Sequence, residues 1–513
     1  MTRSRTTRRI FLRTTLAGAA LGLSRLSTPA GARDKPPNIL LAIADDWSWP
    51  LSSSAGCKFV RTPNFDRIAR EGVLFPHAYV ASPSCTPSRG SLLTGQWFWR
   101  LEEGANLFGD LRPKFEVYPD LLEQAGYQVG VTGKGWGPGD WKQSGRTRNP
   151  AGPAYNQRQT SPTTGAISRI DYAGNFEEFL QRRDPAKPFC FWYGGNEPHR
   201  PYEYKSGVRA GKRLEDVEVP ACFPDSEEVR TDLLDYALEV EYFDSHLGQM
   251  IRKLEEMGEL DHTLLVVTGD NGLPFPRCKG NLYDLGTNVP LAIRWGDWIK
   301  GGRVVEDFVS LCDLAPTFLE AADLEPTDQM TGRSLLALLT SGKSGWIDPE
   351  RGHILTGRER HTEAQPAPSQ AGYPMRAIRT RDFLYVRNFK PERYPAGLEG
   401  RAGSGRPIAA GVDARIKLAF WPFKDIDVPS PTKQYMMDHR DDPEVKPLFK
   451  LAFERRPAEE LYDLRKDPNQ LKNMAADPAY AKVKSALASK LMAELRATAD
   501  PRVLGGGDKF DAY

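Results

Sequence analysis

The sequence predicts an α/β fold in which helices cover both faces of a largely parallel sheet. Short, continuous apolar segments alternate along the chain with segments whose apolar residues recur at helical spacing. Strands that are apolar at every position are typical of parallel sheets buried on both faces. Strands are predicted at 38–44, 127–132, 188–193 and 263–268, further strands at 289–294 and 354–355, and helices at 64–71, 119–124, 176–183, 227–257 and 311–321.

The last third of the chain has a different texture, which predicts a second, smaller α+β domain. Apolar and polar residues alternate over 377–388, as expected for antiparallel strands, and 390–430 is rich in Pro, Gly and Arg, as expected for loops. A short strand at 460–463 and a helix at 480–498 complete this region. The predicted division is a leader at 1–32, a large domain at 36–372 and a small domain at 373–513.

The N-terminus has the three parts of an export signal in their usual order. Residues 7–13 read TRRIFLR, an apolar stretch follows at 14–23, and Ala30-Gly31-Ala32 offers a small-residue cleavage site. We therefore expect export by the twin-arginine machinery to the periplasm or beyond. The alternative interpretation is a disordered basic tail.

Composition gives no indication of a nucleic-acid or membrane partner. The net charge is +2, and no long block of like charge occurs. No stretch of the mature chain is apolar enough to span a bilayer. The six cysteines are widely spaced, unlike a disulfide framework or a zinc site. The spacing is compatible with one disulfide bond but does not identify the two cysteines that would form it.

Acidic side chains directly follow two of the predicted strands. Asp45 and Asp46 come after 38–44, and Asp270 and Asn271 come after the strand that starts at Thr263. Active sites of such sheets lie at the carboxyl ends of the strands, so these side chains are expected to meet at one edge. Their oxygen ligands suit a hard cation such as Ca²⁺. The alternative is that they are solvated or cap helices.

The most specific motif is CTPSRGSLLTG at 85–95. Its C-x-P-S-R core, followed by an apolar pair and T-G, resembles the signature of the type I, formylglycine-dependent sulfatases. A nucleophile at the start of a helix meets unpaired N–H groups and the positive end of the helix dipole, which favours an oxyanion beside it. Without the resemblance, Cys85 would be interpreted as a buried cysteine before a helix that begins with proline.

The resemblance implies an alkaline-phosphatase-like large domain with a mixed, mostly parallel sheet, and a C-terminal α+β domain with an antiparallel sheet. It also implies that a maturation enzyme converts Cys85 to formylglycine, whose hydrate supplies the hydroxyl that attacks sulfur. Arg89 would fix and activate this group. The implied Ca²⁺ ligands are Asp45, Asp46, Asp270, Asn271 and the modified Cys85.

Three further side chains supply positive charge and a proton. Lys134 and His199 each follow a predicted strand, and Lys279 follows the DNG motif at 270–272. The resemblance implies that both lysines bind sulfate and that His199 protonates the leaving group. The alternative interpretation is that the lysines lie on the surface and the histidine is structural.

Within the family, the sequence is most similar to the heparan N-sulfatase (N-sulfoglucosamine sulfohydrolase) subgroup. The similarity rests on DNGLPFP at 270–276, NLY at 281–283, TGRSLL at 331–336 and YPMR at 373–376. The chain departs from the subgroup at two positions: Trp136 replaces a histidine that contacts the nucleophile, and Lys279 replaces an arginine. Trp136 is expected to line the substrate pocket instead. The motifs do not distinguish a substrate that carries an N-sulfate group from one that carries an O-sulfate group.

The segment before the small domain resembles the substrate loop of that subgroup. Arg358, Arg360, His361 and Glu363 are expected to contact a uronate or a sulfated sugar through bidentate bonds. The arginine-rich stretch 387–406 is a second candidate for binding a polyanion. For both segments, the alternative interpretation is a charged, solvated loop.

The sequence therefore predicts an exported carbohydrate sulfatase. Its expected partners are a sulfated carbohydrate, a formylglycine-generating enzyme and the twin-arginine export machinery. Two alternatives remain: a phosphodiesterase or phosphonate hydrolase of the same fold, and a catalytically silent protein that binds sulfated glycans. Trp136 is the one feature that favours the silent protein.

Overall fold

The computed structural model describes residues 35–366, 369–399 and 422–513. The strands are β1 Asn38–Ala44, β2 Val73–Leu74, β3 Ala78–Tyr79, β4 Gln128–Gly133, β5 Phe189–Gly194, β6 Thr263–Gly269, β7 Leu291–Arg294, β8 Arg303–Val304, β9 Val309–Ser310, β10 His353–Arg358, β11 Met375–Thr380, β12 Phe383–Asn388 and β13 Glu459–Asp463. The helices are α1 Pro63–Glu71, α2 Cys85–Thr94, α3 Tyr118–Gln124, α4 Tyr172–Arg182, α5 Ser206–Arg209, α6 Glu227–Glu256, α7 Asp284–Thr287, α8 Leu314–Ala321, α9 Leu336–Thr340, α10 Pro431–Asp438, α11 Lys446–Phe453, α12 Ala481–Ala497 and α13 Pro501–Leu504.

A seven-stranded mixed sheet carries the large part of the fold, in the order β4-β5-β1-β6-β7-β2-β8. The four strands β4, β5, β1 and β6 are mutually parallel, whereas β7 runs antiparallel to β6. The predicted mostly parallel sheet is therefore confirmed, and the predicted strand at 289–294 is its first antiparallel member.

Both faces of this sheet are covered, as the uniformly apolar strands predicted. Leu40 and Ala42 of β1 belong to one apolar core, to which α6 contributes much of its buried face. Ile39 and Leu41 point the other way, into a second core formed with α2, α3 and α8. Side chains alternate between the two faces of a strand, so a strand buried on both faces must be apolar throughout.

A separate four-stranded antiparallel sheet has the order β10-β11-β12-β13. The predicted antiparallel sheet is thus confirmed, and its first strand includes the predicted strand at 354–355. The apolar face of α12 packs on this sheet through Leu487, Leu491 and Leu495. The described chain from Pro37 to Tyr513 forms one compact unit. The proposed division between residues 372 and 373 stays a prediction.

Two helix boundaries differ from their predictions because polar side chains cap the helices. Helix α4 begins at Tyr172, one turn before the predicted start at 176, because the Asp171 carboxylate accepts a hydrogen bond from the Gly174 N–H. The predicted helix 311–321 begins as a 3-10 turn, Leu311–Asp313, which is closed by a capping box at Ser310.

Parts of the sequence interpretation lie outside the described residues. These are the export signal and residues 400–406 of the arginine-rich stretch 387–406. Among the helices in the described ranges, none combines the length and the apolar composition that crossing a membrane requires. All six cysteines lie within those ranges and are free thiols.

Candidate active site

The acids that follow β1 and β6 meet at the carboxyl end of the sheet. The two strands are adjacent and parallel, which places Asp45 and Asp46 beside Asp270 and Asn271. The Asp46 N–H donates to Asp270 Oδ1 at 3.0 Å, and Asn271 Nδ2 donates to Asp46 Oδ1 at 2.6 Å. Asp46 has a left-handed backbone (φ 75°), a conformation that non-glycine residues rarely adopt and that turns the chain sharply here.

Cys85 is the first residue of α2, and its side chain faces these acids. Its Sγ lies 3.4 Å from Asp45 Oδ1 and 4.0 Å from Asp46 Oδ1. Burial and the Asp45 carboxylate raise the pKa of the Cys85 thiol well above its usual range. The thiolate is the nucleophilic form of cysteine, so an unmodified Cys85 would be a weak nucleophile in this position.

Arg89 lies one turn further along α2 and joins three parts of the site. Its Nε donates to Asp270 Oδ2 at 2.6 Å, and its Nη1 donates to the carbonyl oxygens of Lys134 and Gly135 at 2.7 and 2.9 Å. Its side chain is fully buried, and Nη2 has no hydrogen-bond partner within the described ranges. Arg89 therefore fixes α2 against the ends of β4 and β6.

Two lysines flank the acids and carry positive charge. Lys134 Nζ lies 2.5 Å from Asp45 Oδ2, and Lys279 Nζ lies 2.8 Å from Asp46 Oδ2. Burial alone would lower the pKa of Lys279, but the carboxylates of Asp427 and Asp46 raise it well above its ordinary value. Burial likewise opposes the effect of Asp45 on Lys134, whose pKa is also raised. Both side chains are available as cations for an anionic ligand.

His199 presents one ring nitrogen to the site. Its Nδ1 lies 2.6 Å from the Arg200 carbonyl oxygen, which can only accept, so Nδ1 carries a proton. Nε2 then faces the acids, 3.9 Å from Asp46 Oδ2. Burial and the neighbouring Lys279 lower the pKa of His199. The geometry suits proton transfer at Nε2.

Asp427 completes the cluster and was missed by the sequence interpretation. Its Oδ2 lies 2.7 Å from Lys279 Nζ and 3.8 Å from His199 Nε2, and its Oδ1 lies 3.6 Å from His361 Nε2. Although burial raises it, Lys279 and the two histidines hold the pKa of Asp427 well below its usual range. Asp427 lies in a segment predicted as a loop, where no periodic pattern or motif marks one acid among many.

A cavity of about 660 Å³ opens above this cluster. A cavity of this size is ordinary for a small-molecule site. The described residues that line it are Asp45, Cys85, Leu107, Phe108, Lys134, Pro138, Ala166, Ser168, Asn196, Glu197, His199, Arg200, Pro201, Glu239, Lys279, His361, Thr362 and Asp427.

Trp136 is not among the described residues that line the cavity. It is buried, and its backbone N–H and carbonyl oxygen are each hydrogen-bonded to the Asn149 side chain at 3.0 Å. Its indole lies beside Gly90 of α2, where a Cβ would come within 3.9 Å of Nε1. Trp136 thus packs behind the helix that carries Cys85.

Of the four predicted contact residues in the substrate loop, only His361 is among the described residues that line the cavity, together with its neighbour Thr362. Its Nδ1 lies 2.8 Å from Ser84 Oγ, at the start of α2. Arg360 instead donates to the carbonyl oxygens of Gln370 and Tyr513 at 2.7 and 2.6 Å. Arg358 is buried and paired with Asp425, while Glu363 is exposed.

The acidic cluster fits a hard divalent cation. One ligand atom from each of Asp45, Asp46, Asp270 and Cys85 lies within 4.8 Å of the others. The Asn271 amide contacts the same cluster through Nδ2, which donates to Asp46 Oδ1, and its buried Oδ1 has no hydrogen-bond partner within the described ranges. Burial raises the pKa of Asp46 and of Asp270 to about 6 each, which reflects the cost of packing these carboxylates together. A cation held by these oxygens would relieve that cost.

Comparisons with known proteins agree with this geometry. A family model described as sulfatase matches residues 37–324, more than half of the 513-residue chain. Human N-sulphoglucosamine sulphohydrolase is 29% identical over 512 residues, covering 92% of each chain.

Two solved structures share the fold. One, in complex with its substrate D-glucosamine-2-N,6-O-disulfate, has a TM-score of 0.63 at 19% identity and covers 91% of this chain and 99% of its own. The other is the phosphonate monoester hydrolase of Agrobacterium radiobacter, with a TM-score of 0.63 at 18% identity, covering 91% of this chain and 97% of its own. Together with the family match, the signature at Cys85 identifies the chain as a member of the sulfatase family of sulfuric ester hydrolases.

Proposed function

We propose that this protein removes sulfate from a sulfated carbohydrate, with a nucleophile made from Cys85. The observation that carries the proposal is the position of Cys85 at the start of α2, between a cluster of carboxylates and two charged lysines. A tetrahedral anion placed there meets helix N–H groups and the ammonium groups of Lys134 and Lys279.

The nucleophile is proposed to be formylglycine, produced from Cys85 by a maturation enzyme. When present, its hydrate supplies a hydroxyl group for attack on sulfur. The signature at 85–95 and the match to the sulfatase family model support this proposal. Arg89, anchored by Asp270 and by two carbonyl oxygens, would hold the modified side chain in one orientation.

Ca²⁺ is the proposed metal. Asp45, Asp46, Asp270 and Asn271 would hold it together with the oxygen of the modified Cys85. A hard divalent cation in this position polarises the sulfate group and neutralises charge that develops during the reaction.

The remaining side chains bind sulfate and supply a proton. Lys134 and Lys279 clamp the sulfate oxygens by charge. In its imidazolium form, with Nδ1–H held by the Arg200 carbonyl oxygen, His199 donates the proton on Nε2 to the oxygen or nitrogen of the sugar as the bond to sulfur breaks. Asp427 is proposed to position Lys279 and His199, because it contacts both.

The proposed substrates are sulfated hexosamines, with N-sulfoglucosamine first among them. Two findings support this class: the human relative is an N-sulphoglucosamine sulphohydrolase, and one structure of the same fold is in complex with D-glucosamine-2-N,6-O-disulfate. A cavity of about 660 Å³ is large enough for a sugar ring. The proposed location is the periplasm or beyond, on the basis of the signal pattern at 1–32.

Rates on matched esters test the reaction class. Sulfated sugars and an aryl sulfate are expected to be hydrolysed with a higher kcat/KM than the phosphonate monoester of the same aryl group. Faster hydrolysis of the phosphonate would establish the phosphonate-hydrolase alternative. Tight binding of sulfated sugars without hydrolysis of any ester would establish the silent binding protein.

Removing His199 should have an effect that depends on the leaving group. His199→Ala is expected to lower kcat about 100-fold on a sulfated sugar. It should lower kcat much less on nitrophenyl sulfate, whose leaving group departs without a proton. His439→Ala serves as the control because His439 is exposed and paired with Asp442. Equal losses on both substrates would contradict the role of His199 as the acid.

Lys433 is predicted to hold the segment that carries Asp427. Its buried Nζ donates to the carbonyl oxygens of Phe423 and Ile426 at 3.0 and 3.3 Å, and burial lowers its pKa to about 7. Methionine cannot donate these bonds. Lys433→Met is therefore expected to increase amide hydrogen exchange over 422–430 and to lower kcat/KM about tenfold through misplacement of Asp427.

Lys450→Met, on the exposed side of α11, is the matched control for Lys433→Met. It should change neither exchange over 422–430 nor turnover. Wild-type exchange and kinetics in Lys433→Met would show that this lysine does not order the segment.

A further inference from the structure

Phe108 stands out at the mouth of the cavity above Cys85. Its side chain is 66% exposed, the largest exposed fraction among the large hydrophobic residues that the structure describes. It also lines the cavity, together with the sulfate-binding candidates Lys134 and Lys279. An aromatic ring left in water at the entrance of a ligand site marks a surface that a ligand covers.

The backbone of Phe108 is held in a conformation that costs free energy. Its φ is +62°, in the left-handed region, which is unfavourable for a non-glycine residue. The Phe108 N–H donates to Thr86 Oγ1 at 3.4 Å, and the Leu107 N–H donates to the Arg360 carbonyl oxygen at 3.0 Å. Strained residues of this kind persist where the surrounding structure holds them, and they concentrate at ligand sites.

The turn around Phe108 is tight, which fixes the backbone position from which the ring projects. A Cβ on the next residue, Gly109, would lie 1.7 Å from the Glu103 carbonyl oxygen, so only glycine fits there. Thr86, which accepts the hydrogen bond from Phe108, directly follows Cys85 in α2. The position of the ring is thereby tied to the helix that carries the nucleophile.

The cavity walls differ in chemistry. Phe108, Leu107 and Pro138 contribute apolar surface, while Glu239 and Asp427 contribute carboxyl groups. A pyranose ring matches this difference, because its faces carry C–H groups and its edge carries hydroxyl or amino groups. The C–H face suits an aromatic ring, and the edge suits the oxygen acceptors of carboxyl groups.

We infer that Phe108 is a specificity-determining residue, a platform on which the sugar ring of the substrate stacks. The inference rests on the proposed function, because it assigns the sugar end of a ligand whose sulfate end lies between Lys134 and Lys279. Arg360 then acts indirectly on the substrate: its carbonyl oxygen accepts a hydrogen bond from the Leu107 N–H and so holds the loop that carries Phe108.

The test compares Phe108→Ala with the wild type on N-sulfoglucosamine, with inorganic sulfate as a competitive inhibitor. Loss of stacking is expected to raise KM about tenfold and to leave kcat nearly unchanged. The Ki of inorganic sulfate should not change, because the sulfate end of the ligand is assigned to Lys134 and Lys279 and not to Phe108. Phe108→Trp should restore the wild-type KM. Leu504→Ala, which also removes an exposed apolar side chain but lies outside the described cavity lining, is the control.

Two results would overturn the platform: an unchanged KM in Phe108→Ala, or a Ki for sulfate that rises in parallel with KM. Calorimetric binding of N-sulfoglucosamine separates this inference from the proposed function. If the wild type binds the sugar without hydrolysing it, the proposed function fails. The platform is then supported by about tenfold weaker binding to Phe108→Ala and overturned by equal binding. Absence of binding to the wild type overturns both.

Discussion

Cys85→Ala is expected to reduce hydrolysis of sulfate esters to the background rate. The substitution removes the atom from which the nucleophile is made, so at least about a 10⁴-fold loss of kcat is expected. Sulfate clamping by Lys134 and Lys279 does not require the thiol, so binding of N-sulfoglucosamine should be retained. Sulfate release and calorimetric binding measure the two effects separately.

Cys57→Ala is the matched control for Cys85→Ala. Cys57 is a free thiol that is only partly buried and lies outside the described lining of the cavity above Cys85. Its removal should leave turnover unchanged, which excludes a general effect of cysteine loss. Undiminished turnover by Cys85→Ala would show that the reaction does not run through this residue.

Asp270→Asn is expected to abolish activity and also to destabilise the fold. Asp270 accepts from Arg89 Nε and from the Asp46 N–H, and both carboxylate oxygens are buried. Removing the charge of Asp270 leaves the buried Arg89 with only the longer ion pair to Asp45 Oδ1 at 3.7 Å, at a cost of up to about 3–5 kcal/mol. The variant should also lose a Ca²⁺ ligand, so added Ca²⁺ should raise the Tm of the wild type but not that of the variant.

Asp284→Asn is the control that separates the loss of stability from the loss of a Ca²⁺ ligand. Asp284 pairs with Arg379 at 2.9 Å, and this ion pair does not include the proposed metal ligands. This variant should lower Tm while keeping the Ca²⁺-dependent rise. A Ca²⁺-dependent rise in Asp270→Asn equal to that of the wild type would contradict the assignment of Asp270 as a ligand.

Sequence patterns predicted the central strands of the large sheet because a strand that is buried on both faces of its sheet has a continuous run of apolar residues. Segments 38–44 and 263–268 have continuous apolar centres, at 39–44 and 264–267, and they became the adjacent parallel strands that bring Asp45 and Asp270 together. The acids could be found because they follow those strands directly. Helix boundaries were less predictable: the start of α4 depends on a cap by Asp171, which no apolar pattern reports.

Residues that reach the site through tertiary packing could not be predicted in the same way. Asp427 arrives from a segment rich in proline and charge, and only the fold sets it beside Lys279. A large apolar side chain such as that of Phe108 is expected in the core. In the structure, the backbone of Phe108 is left-handed and its ring is exposed. Trp136 was expected at the cavity because it follows Lys134 closely, whereas the packing of its indole against Gly90 depends on the position of α2.

Peptide mass spectrometry of the protein from its native host shows whether Cys85 becomes formylglycine. The peptide containing residue 85 is expected to be lighter than its cysteine form by about 18 Da, the change expected when the thiol becomes an aldehyde. The same preparation should release sulfate from N-sulfoglucosamine. An unmodified Cys85 in a preparation that hydrolyses sulfate esters would exclude formylglycine as the nucleophile.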